Sequence, residues 1–247
     1  MGEFIQIDDF QVWRAVPEGT PRGGLIVNHE IWGLVDHARD VANRFAAEGY
    51  VVYAPDLLSH AGTTPDIGEE LQSIMGDTSP AGEARRSDNQ PRLRAAFAPV
   101  QNPEFGAATV ARLVKVVDAL EKEPGVDGRI GVIGFCFGGS FAFALAAADS
   151  RIKAAVPFYG APPSPEQMKD IRCPVLAIYG EEDENLIGAV PEVRGQMNGA
   201  GVNCTFKIYE NAGHAFFNDQ NSRQHEPNAA ADAWKLTLAF LSEHLRS

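Results

Sequence analysis

The sequence predicts an α/β fold, in which helices cover both faces of a mostly parallel central sheet. Three observations support this class. Strand-like apolar runs alternate with helix-like segments from end to end, Gly and Pro close several of them, and the chain has 247 residues. Each parallel strand needs a crossover before the next, so alternation of this kind is typical of a parallel sheet. One domain over 1–247 accommodates the pattern without a second core.

The first half of the chain shows both periodicities. Residues 35–48 place apolar side chains at helical spacing and stop at Gly49, a common helix end. Residues 105–123 repeat the helical spacing, and residues 50–54 form an apolar run that closes at Pro55. The elements predicted here are strands 24–28 and 50–54 and helices 35–48 and 105–123.

The second half continues the alternation. Short runs rich in Val, Ile and Ala predict buried strands, and longer segments between them predict the crossover helices. The predicted strands are 129–134, 153–156, 175–179 and 204–209, and the predicted helices are 138–148, 190–198 and 229–245.

Residues 57–102 show no clear period and are rich in Gly, Pro, Ser and Asp. Their length suggests an insertion or a lid over a site rather than a simple connection. Four cations cluster there, and they are open to two interpretations: a solvated face, or a site for a substrate carboxylate. These cations are Arg85, Arg86, Arg92 and Arg94.

Charge and cysteine content exclude several classes of protein. A net charge of -12 disfavours nucleic acid or an anionic membrane as a partner, because both attract clustered Lys and Arg. The three cysteines lack the spacing of a zinc site and cannot all pair within the chain, which favours a reducing compartment. With no signal peptide and no apolar run near the roughly 20 residues of a membrane span, we expect a cytoplasmic protein without metal or cofactor.

The segment 134–139, Gly-Phe-Cys-Phe-Gly-Gly, joins a predicted strand to a helix of small residues. A turn this tight strains its central residue and requires glycines where strand and helix approach, as in a nucleophile elbow. We therefore interpret Cys136 as a nucleophile, with the main-chain N–H of Phe137 as an oxyanion donor. The alternative is an inert buried cysteine in a Gly-rich turn.

A base and an acid follow in the order of an α/β-hydrolase triad. His214 lies in a glycine-containing loop after the last predicted strand, and Asp183 comes directly after strand 175–179. Glu181, Glu182 and Glu184 compete with Asp183, although they are more typical of exposed turn acids. All three triad candidates follow strands, and ligands of such sheets bind beyond the carboxyl ends of the strands.

Glu30 follows strand 24–28, where we expect a carboxylate near the site. In the functional interpretation Glu30 touches Cys136 and governs the protonation of the thiol. In the structural alternative it pairs with an arginine or caps the helix that begins near Val35.

Taken together, these motifs resemble the dienelactone hydrolase family, also called carboxymethylenebutenolidases, over nearly the whole chain. The resemblance implies an α/β-hydrolase fold and a cofactor-free hydrolase that acts on an enol-lactone or small ester. The segments that carry it are 28–33 (Asn-His-Glu-Ile-Trp-Gly), 53–57 (Tyr-Ala-Pro-Asp-Leu), 134–139, 158–160 (Phe-Tyr-Gly), 180–183 (Gly-Glu-Glu-Asp) and 212–216 (Ala-Gly-His-Ala-Phe).

The resemblance also implies roles for individual residues. Glu30 takes the thiol proton when substrate arrives, and the N–H groups of Ile31 and Phe137 hold the oxyanion. Family members that hydrolyse dienelactone carry an arginine where this chain has Asn218, which weakens the expected recognition of a carboxylate. The predicted substrate-binding residues are Arg94, Trp32, Phe216 and Asn218.

Two other functions remain open from the sequence. An arylesterase, carboxylesterase or thioesterase of broad specificity would use the same triad in a roomy apolar site, lined by Trp32, Phe137, Phe216 and Phe217. A non-catalytic binding or redox-sensing protein would keep the fold and use Cys136 as a reversible switch.

Overall fold

The computed structural model describes residues 2–246, so that Met1 and Ser247 of the predicted domain lie outside the described range. An eight-stranded sheet forms its centre. The strands are β1 (Glu3–Ile7), β2 (Phe10–Ala15), β3 (Gly24–Asn28), β4 (Val51–Pro55), β5 (Ile130–Phe135), β6 (Ile152–Phe158), β7 (Val175–Gly180) and β8 (Cys204–Tyr209).

The sheet has the order β1-β2-β4-β3-β5-β6-β7-β8. β2 pairs antiparallel with β1 and with β4, whereas the pairs from β4 through β8 are parallel. β3 to β7 are almost entirely buried, which explains their continuous apolar sequences. The predicted α/β class with a mostly parallel sheet is confirmed.

Helices fill most of the crossovers between the parallel strands. The helices predicted from periodicity are present within a few residues of their expected ends. The helices are α1 (Asp36–Ala47), α2 (Pro65–Gly76), α3 (Gly82–Phe97), α4 (Pro103–Leu120), α5 (Phe137–Ala148), α6 (Pro165–Met168), α7 (Glu184–Ile187), α8 (Val190–Gly199) and α9 (Pro227–His244).

The hairpin of β1 and β2 was not predicted from the sequence pattern. β1 is an edge strand with no buried residue, and β2 alternates incompletely between buried and exposed positions. Their stability comes from pairing with each other and with β4, a tertiary contact that leaves little local pattern.

Residues 57–102, to which the sequence pattern assigned no element, fold mainly into α2 and α3. In α3 Gly82 is the sole buried residue, so this helix carries no apolar stripe for a periodicity search to detect. Arg85 and Arg92 form ion pairs with acids of the same segment, at 2.6 Å from Asp77 and 2.8 Å from Glu70. These pairs agree with the solvated-face interpretation of the two arginines.

The parallel arrangement determines where the site can form. The carboxyl ends of β3 and of β5 to β8 all open at one edge of the sheet. Within residues 2–246, no helix is long and apolar enough to cross a membrane.

Candidate active site

Cys136 stands at a strained turn between β5 and α5. Its backbone has φ 55° and ψ -116°, a conformation that costs a non-glycine residue roughly 1 to 3 kcal/mol. The two glycines around it allow the close approach, since a Cβ on Gly134 would lie 1.9 Å from the carbonyl oxygen of Gly138. The turn therefore has the geometry of a nucleophile elbow, with the thiol partly exposed at the N-terminus of α5.

His214 and Asp183 are joined directly. His214 Nδ1 lies 2.6 Å from Asp183 Oδ2, and the Asp183 side chain is buried. A carboxylate accepts, so Nδ1 carries the proton and the lone pair of the neutral ring is on Nε2. The competing acids Glu181, Glu182 and Glu184 are exposed.

One cavity of about 360 Å³ brings the three predicted triad residues together. Burial by itself lowers the pKa of His214, but Cys136 and the Asp183 carboxylate outweigh it and raise that pKa to about 9. The imidazole is therefore suited to hold a proton beside the sulfur. The lining residues are Cys136, Phe137, Ser140, Tyr159, Ala161, Asp183, Asn185, Leu186 and His214.

Glu30 is buried behind this cavity, in a cage of neutral groups. Its Oε1 accepts from the Tyr159 hydroxyl at 3.0 Å, and its Oε2 accepts from Asn218 Nδ2 at 2.6 Å. Among the described residues, neither an arginine partner nor a helix-capping contact of Glu30 is present. The structural alternative for Glu30, an ion pair with an arginine or a cap on the helix near Val35, is therefore not what the described residues show.

Tyr159 is a site residue for which the sequence predicted no role, although it lies in the segment 158–160 that carries part of the family resemblance. Burial, Glu30 and Cys136 all raise the pKa of its hydroxyl well above the ordinary range, so it stays protonated and donates to Glu30. Its position directly after β6, at the edge that carries Cys136 and Asp183, was the available signal.

His29 fixes the loop that presents Glu30 and Ile31. The N–H of Leu57 donates to His29 Nε2 at 3.0 Å, so the ring proton is on Nδ1, which lies 2.6 Å from the Glu30 carbonyl oxygen. Burial lowers the pKa of His29 and keeps it neutral, although Asp56 acts in the opposite direction. The ring also stacks on Phe137, with centroids 5.9 Å apart.

The two main-chain N–H groups predicted as oxyanion donors make no hydrogen bond within residues 2–246. In the described part of the chain, no acceptor satisfies the N–H of Ile31 or of Phe137. Unsatisfied N–H groups beside a nucleophile have the chemistry of an oxyanion hole.

The predicted substrate-binding residues do not line this cavity. Phe216 is fully buried and packs on Tyr159 at 5.7 Å between ring centroids, and Asn218 is fully buried against Glu30. Arg94 is exposed on α3, and Trp32 is half-buried against Phe97. Phe216 and Asn218 therefore pack behind the site. Because both side chains are fully buried, they are not placed to contact a substrate directly.

Metal-binding geometry is not found within residues 2–246: no group of three or more His, Cys, Asp or Glu side chains could hold a metal ion.

Comparison with known proteins places the chain among sequences of one family. The model of the dienelactone hydrolase family matches residues 10–245. A protein of Saccharolobus solfataricus named "Putative carboxymethylenebutenolidase" is 31% identical, covering 92% of this chain and 91% of its own. A protein of the same name from Methylorubrum extorquens is also 31% identical, covering 90% of this chain and 73% of its own.

Solved structures show the same similarity. The structure of a "Putative Dienelactone Hydrolase" from Klebsiella pneumoniae superposes with a TM-score of 0.77 at 25% identity, covering 98% of both chains. The shared architecture is the α/β-hydrolase fold, as the sequence predicted.

Proposed function

Because the chain belongs to the dienelactone hydrolase family and is a hydrolase of esters or lactones, we propose that it acts through a Cys136-Asp183-His214 triad. The predicted substrate is a small molecule, an enol-lactone or small ester. The observation that carries this proposal is a cavity lined by all three side chains, with Cys136 held in the strained turn.

The first half of the reaction forms an acyl-enzyme. Cys136 loses its proton to His214, and the thiolate Sγ attacks the carbonyl carbon of the substrate. The negative charge on the carbonyl oxygen is held by the N–H groups of Ile31 and Phe137. Collapse of this intermediate breaks the acyl C–O bond, and the imidazolium gives its proton to the leaving oxygen.

The second half releases the acid. His214 takes a proton from water, whose oxygen attacks the thioester carbon, and the C–S bond then breaks. The proton returns to the departing sulfur, which leaves the free carboxylic acid and Cys136. Asp183 holds the ring tautomer and stabilises the imidazolium in both halves.

A role for Glu30 as acceptor of the thiol proton depends on a rearrangement. Both of its oxygens already accept hydrogen bonds, from Tyr159 and from Asn218. Each oxygen can accept a second hydrogen bond, but none joins Glu30 to Cys136 in the described residues, so one side chain would have to move toward the other. While both contacts of Glu30 are in place, the raised pKa of His214 favours the imidazole as the acceptor of that proton.

Replacement of Cys136 by Ala tests this proposal. We expect loss of almost all turnover, together with loss of the acyl adduct that intact-mass spectrometry detects on the wild type. Cys204→Ala is the matched control, because burial raises the pKa of Cys204 to about 12 and keeps it a thiol. Wild-type turnover in Cys136→Ala would refute the triad, and an ester panel that never acylates Cys136 would favour a binding or redox-sensing protein.

A broad arylesterase, carboxylesterase or thioesterase is the second candidate. It is favoured by the cavity lining, which includes the apolar Phe137 and Leu186 and no Lys or Arg. Rates on anionic dienelactone and on neutral p-nitrophenyl esters distinguish the two candidates. If Arg94→Ala leaves activity on the anionic lactone unchanged, Arg94 does not bind the substrate carboxylate.

A further inference from the structure

A second cavity continues from the catalytic one. It has a volume of about 610 Å³ and shares Ser140 and Ala161 with the cavity of Cys136 and His214. We propose that this groove holds the apolar arm of an ester substrate whose carbonyl lies at Cys136, an inference that rests on the proposed function. Its walls include Gly106 and Val110 of α4, Phe141 and Ala144 of α5, and the loop residues Pro162 and Pro163.

The chemistry of the walls selects an apolar occupant. No charged residue lines the groove. Of its polar side chains, Ser140 Oγ accepts from the N–H of Ala161 at 2.9 Å, and Gln167 Oε1 accepts from the N–H of Ser164 at 3.0 Å. Burial of hydrocarbon there would stabilise the complex, whereas a charged group would find no partner.

Helix geometry gives the length of the groove. Ser140 and Ala144 are one and two steps of four residues beyond Cys136, so they lie on one face of α5. At 1.5 Å per residue, Ala144 is about 12 Å along the helix from the nucleophile. Phe137 and Phe141 join the two cavities with ring centroids 4.8 Å apart. A chain of medium length therefore fits between the carbonyl and the far end of the groove.

Two ester series test this inference. One is a set of p-nitrophenyl acetate, butyrate, hexanoate and octanoate, and the other is a matched set of acetate esters with lengthening alcohols. We expect kcat/KM to rise roughly fourfold per added methylene in one of the series, from the free energy of burying each CH₂. The series that responds identifies whether the acyl arm or the alcohol arm enters the groove.

Gly106→Leu fills the groove with little risk to folding. A Cβ at Gly106 meets no atom within 4 Å, and leucine favours the helix more than glycine does. We expect the ratio of kcat/KM on the longest ester to that on the shortest to fall about tenfold or more. Gly195→Leu in α8 is the matched control, since its Cβ also meets nothing within 4 Å, and it should keep the wild-type ratio.

Each other outcome overturns the inference. A kcat/KM independent of chain length in both series, or a wild-type ratio in Gly106→Leu, would show that no substrate arm enters the groove. If Gly106→Leu changed the mass of the protein in solution but not the ratio, the groove would belong to an interface between copies. Failure to hydrolyse any ester would instead refute the proposed function, so that the two failures are distinguishable.

Discussion

The sulfur of Cys136 and the imidazole of His214 line the same cavity, and each affects the chemistry of the other. Burial alone would make His214 a weaker base, but Cys136 and Asp183 reverse that effect and raise its pKa to about 9. A raised pKa suits the neutral ring to accept the proton of the thiol and to hold it beside the sulfur. His214 is thus the proton acceptor beside Cys136 in a lining that contains no lysine or arginine.

Removal of the sulfur should lower the pKa of His214. In Cys136→Ala the favourable interaction with the sulfur is lost while burial remains, so we expect a fall of roughly 1 to 3 pH units. Titration of the imidazole by NMR measures it directly. Cys204→Ala should leave the titration unchanged, and an unchanged pKa in Cys136→Ala would mean that the sulfur does not act on this ring.

The cage of Glu30 contains no cation, so its carboxylate depends on two neutral donors. Tyr159 and Asn218 each satisfy one oxygen inside the protein. A buried oxygen left without its donor costs more free energy than the bond itself contributes, because it has been removed from water.

Tyr159→Phe should destabilise the fold by about 1 to 3 kcal/mol, because it leaves Glu30 Oε1 buried and unsatisfied. Tyr209→Phe is the matched control, since it also removes a hydroxyl that donates to a carboxylate, but its acceptor Asp232 is exposed and can bind water instead. Urea unfolding at neutral pH measures both changes. Equal losses in the two variants would contradict this account of the cage.

The elbow depends on the contact between β5 and α5. Any side chain at Gly134 would collide with the main chain of Gly138, which no rotamer change can relieve. The strain at Cys136 persists because strand and helix are held by the sheet and the core on either side.

Gly134→Ala should therefore destabilise the protein severely or prevent soluble expression. Gly195→Ala is the control, because its added Cβ meets nothing and alanine favours the helix by up to about 1 kcal/mol. Thermal unfolding should show a lower Tm for the first variant and an equal or higher Tm for the second. A wild-type Tm in Gly134→Ala would mean that the elbow can open without cost.

The two helices of residues 57–102 differ in how they pack against the rest of the fold. α2 touches the loop of Trp32, where a Cβ on Gly68 would lie 1.7 Å from the Trp32 carbonyl oxygen. α3 contributes little to the core. We propose that this segment is an insertion or a lid over the site, as its length in the sequence suggested.

Charge pairing between distant elements makes the stability of the whole molecule depend on pH. Arg14 of β2 binds Glu123, just after α4, with Nε 2.7 Å from Oε1. Arg14 and the hydroxyl of Tyr53 hold the pKa of Glu123 below its usual range, against the effect of burial. A pKa lowered by folding contributes stability above the ordinary glutamate pKa of about 4.3, and that stability is lost as the pH falls through the folded value.

Glu123→Gln should accordingly lower the Tm more at about pH 6 than at about pH 3, because acid protonates Glu123 in the wild type and removes the difference. Thermal unfolding across this range measures it. Glu18→Gln, at an exposed position, should give the same Tm difference at both pH values. A constant difference for Glu123→Gln would mean that the pair with Arg14 adds nothing to stability.

The grouping of the three candidate triad residues in one cavity could be predicted because each of them follows a strand. Cys136, Asp183 and His214 each come shortly after a predicted strand, and parallel strands open at one edge of a sheet, so that local patterns were enough to bring them together. The α/β class, the family and the hydrolase activity followed from the same segments and are confirmed. The solvent-exposed β1 and α3 were not predicted from the sequence, because neither buries an apolar face.

The hydrogen-bond partners of Glu30 could not be predicted from such local patterns. Tyr159 and Asn218 bind it from 129 and 188 positions away, and nothing in the local spacing marks either contact. The same holds for the groove beside Ser140, which exists because α4, α5 and a loop leave space between them. Spacing along a chain reports which face a residue occupies, whereas partners and empty volume depend on how separate elements pack.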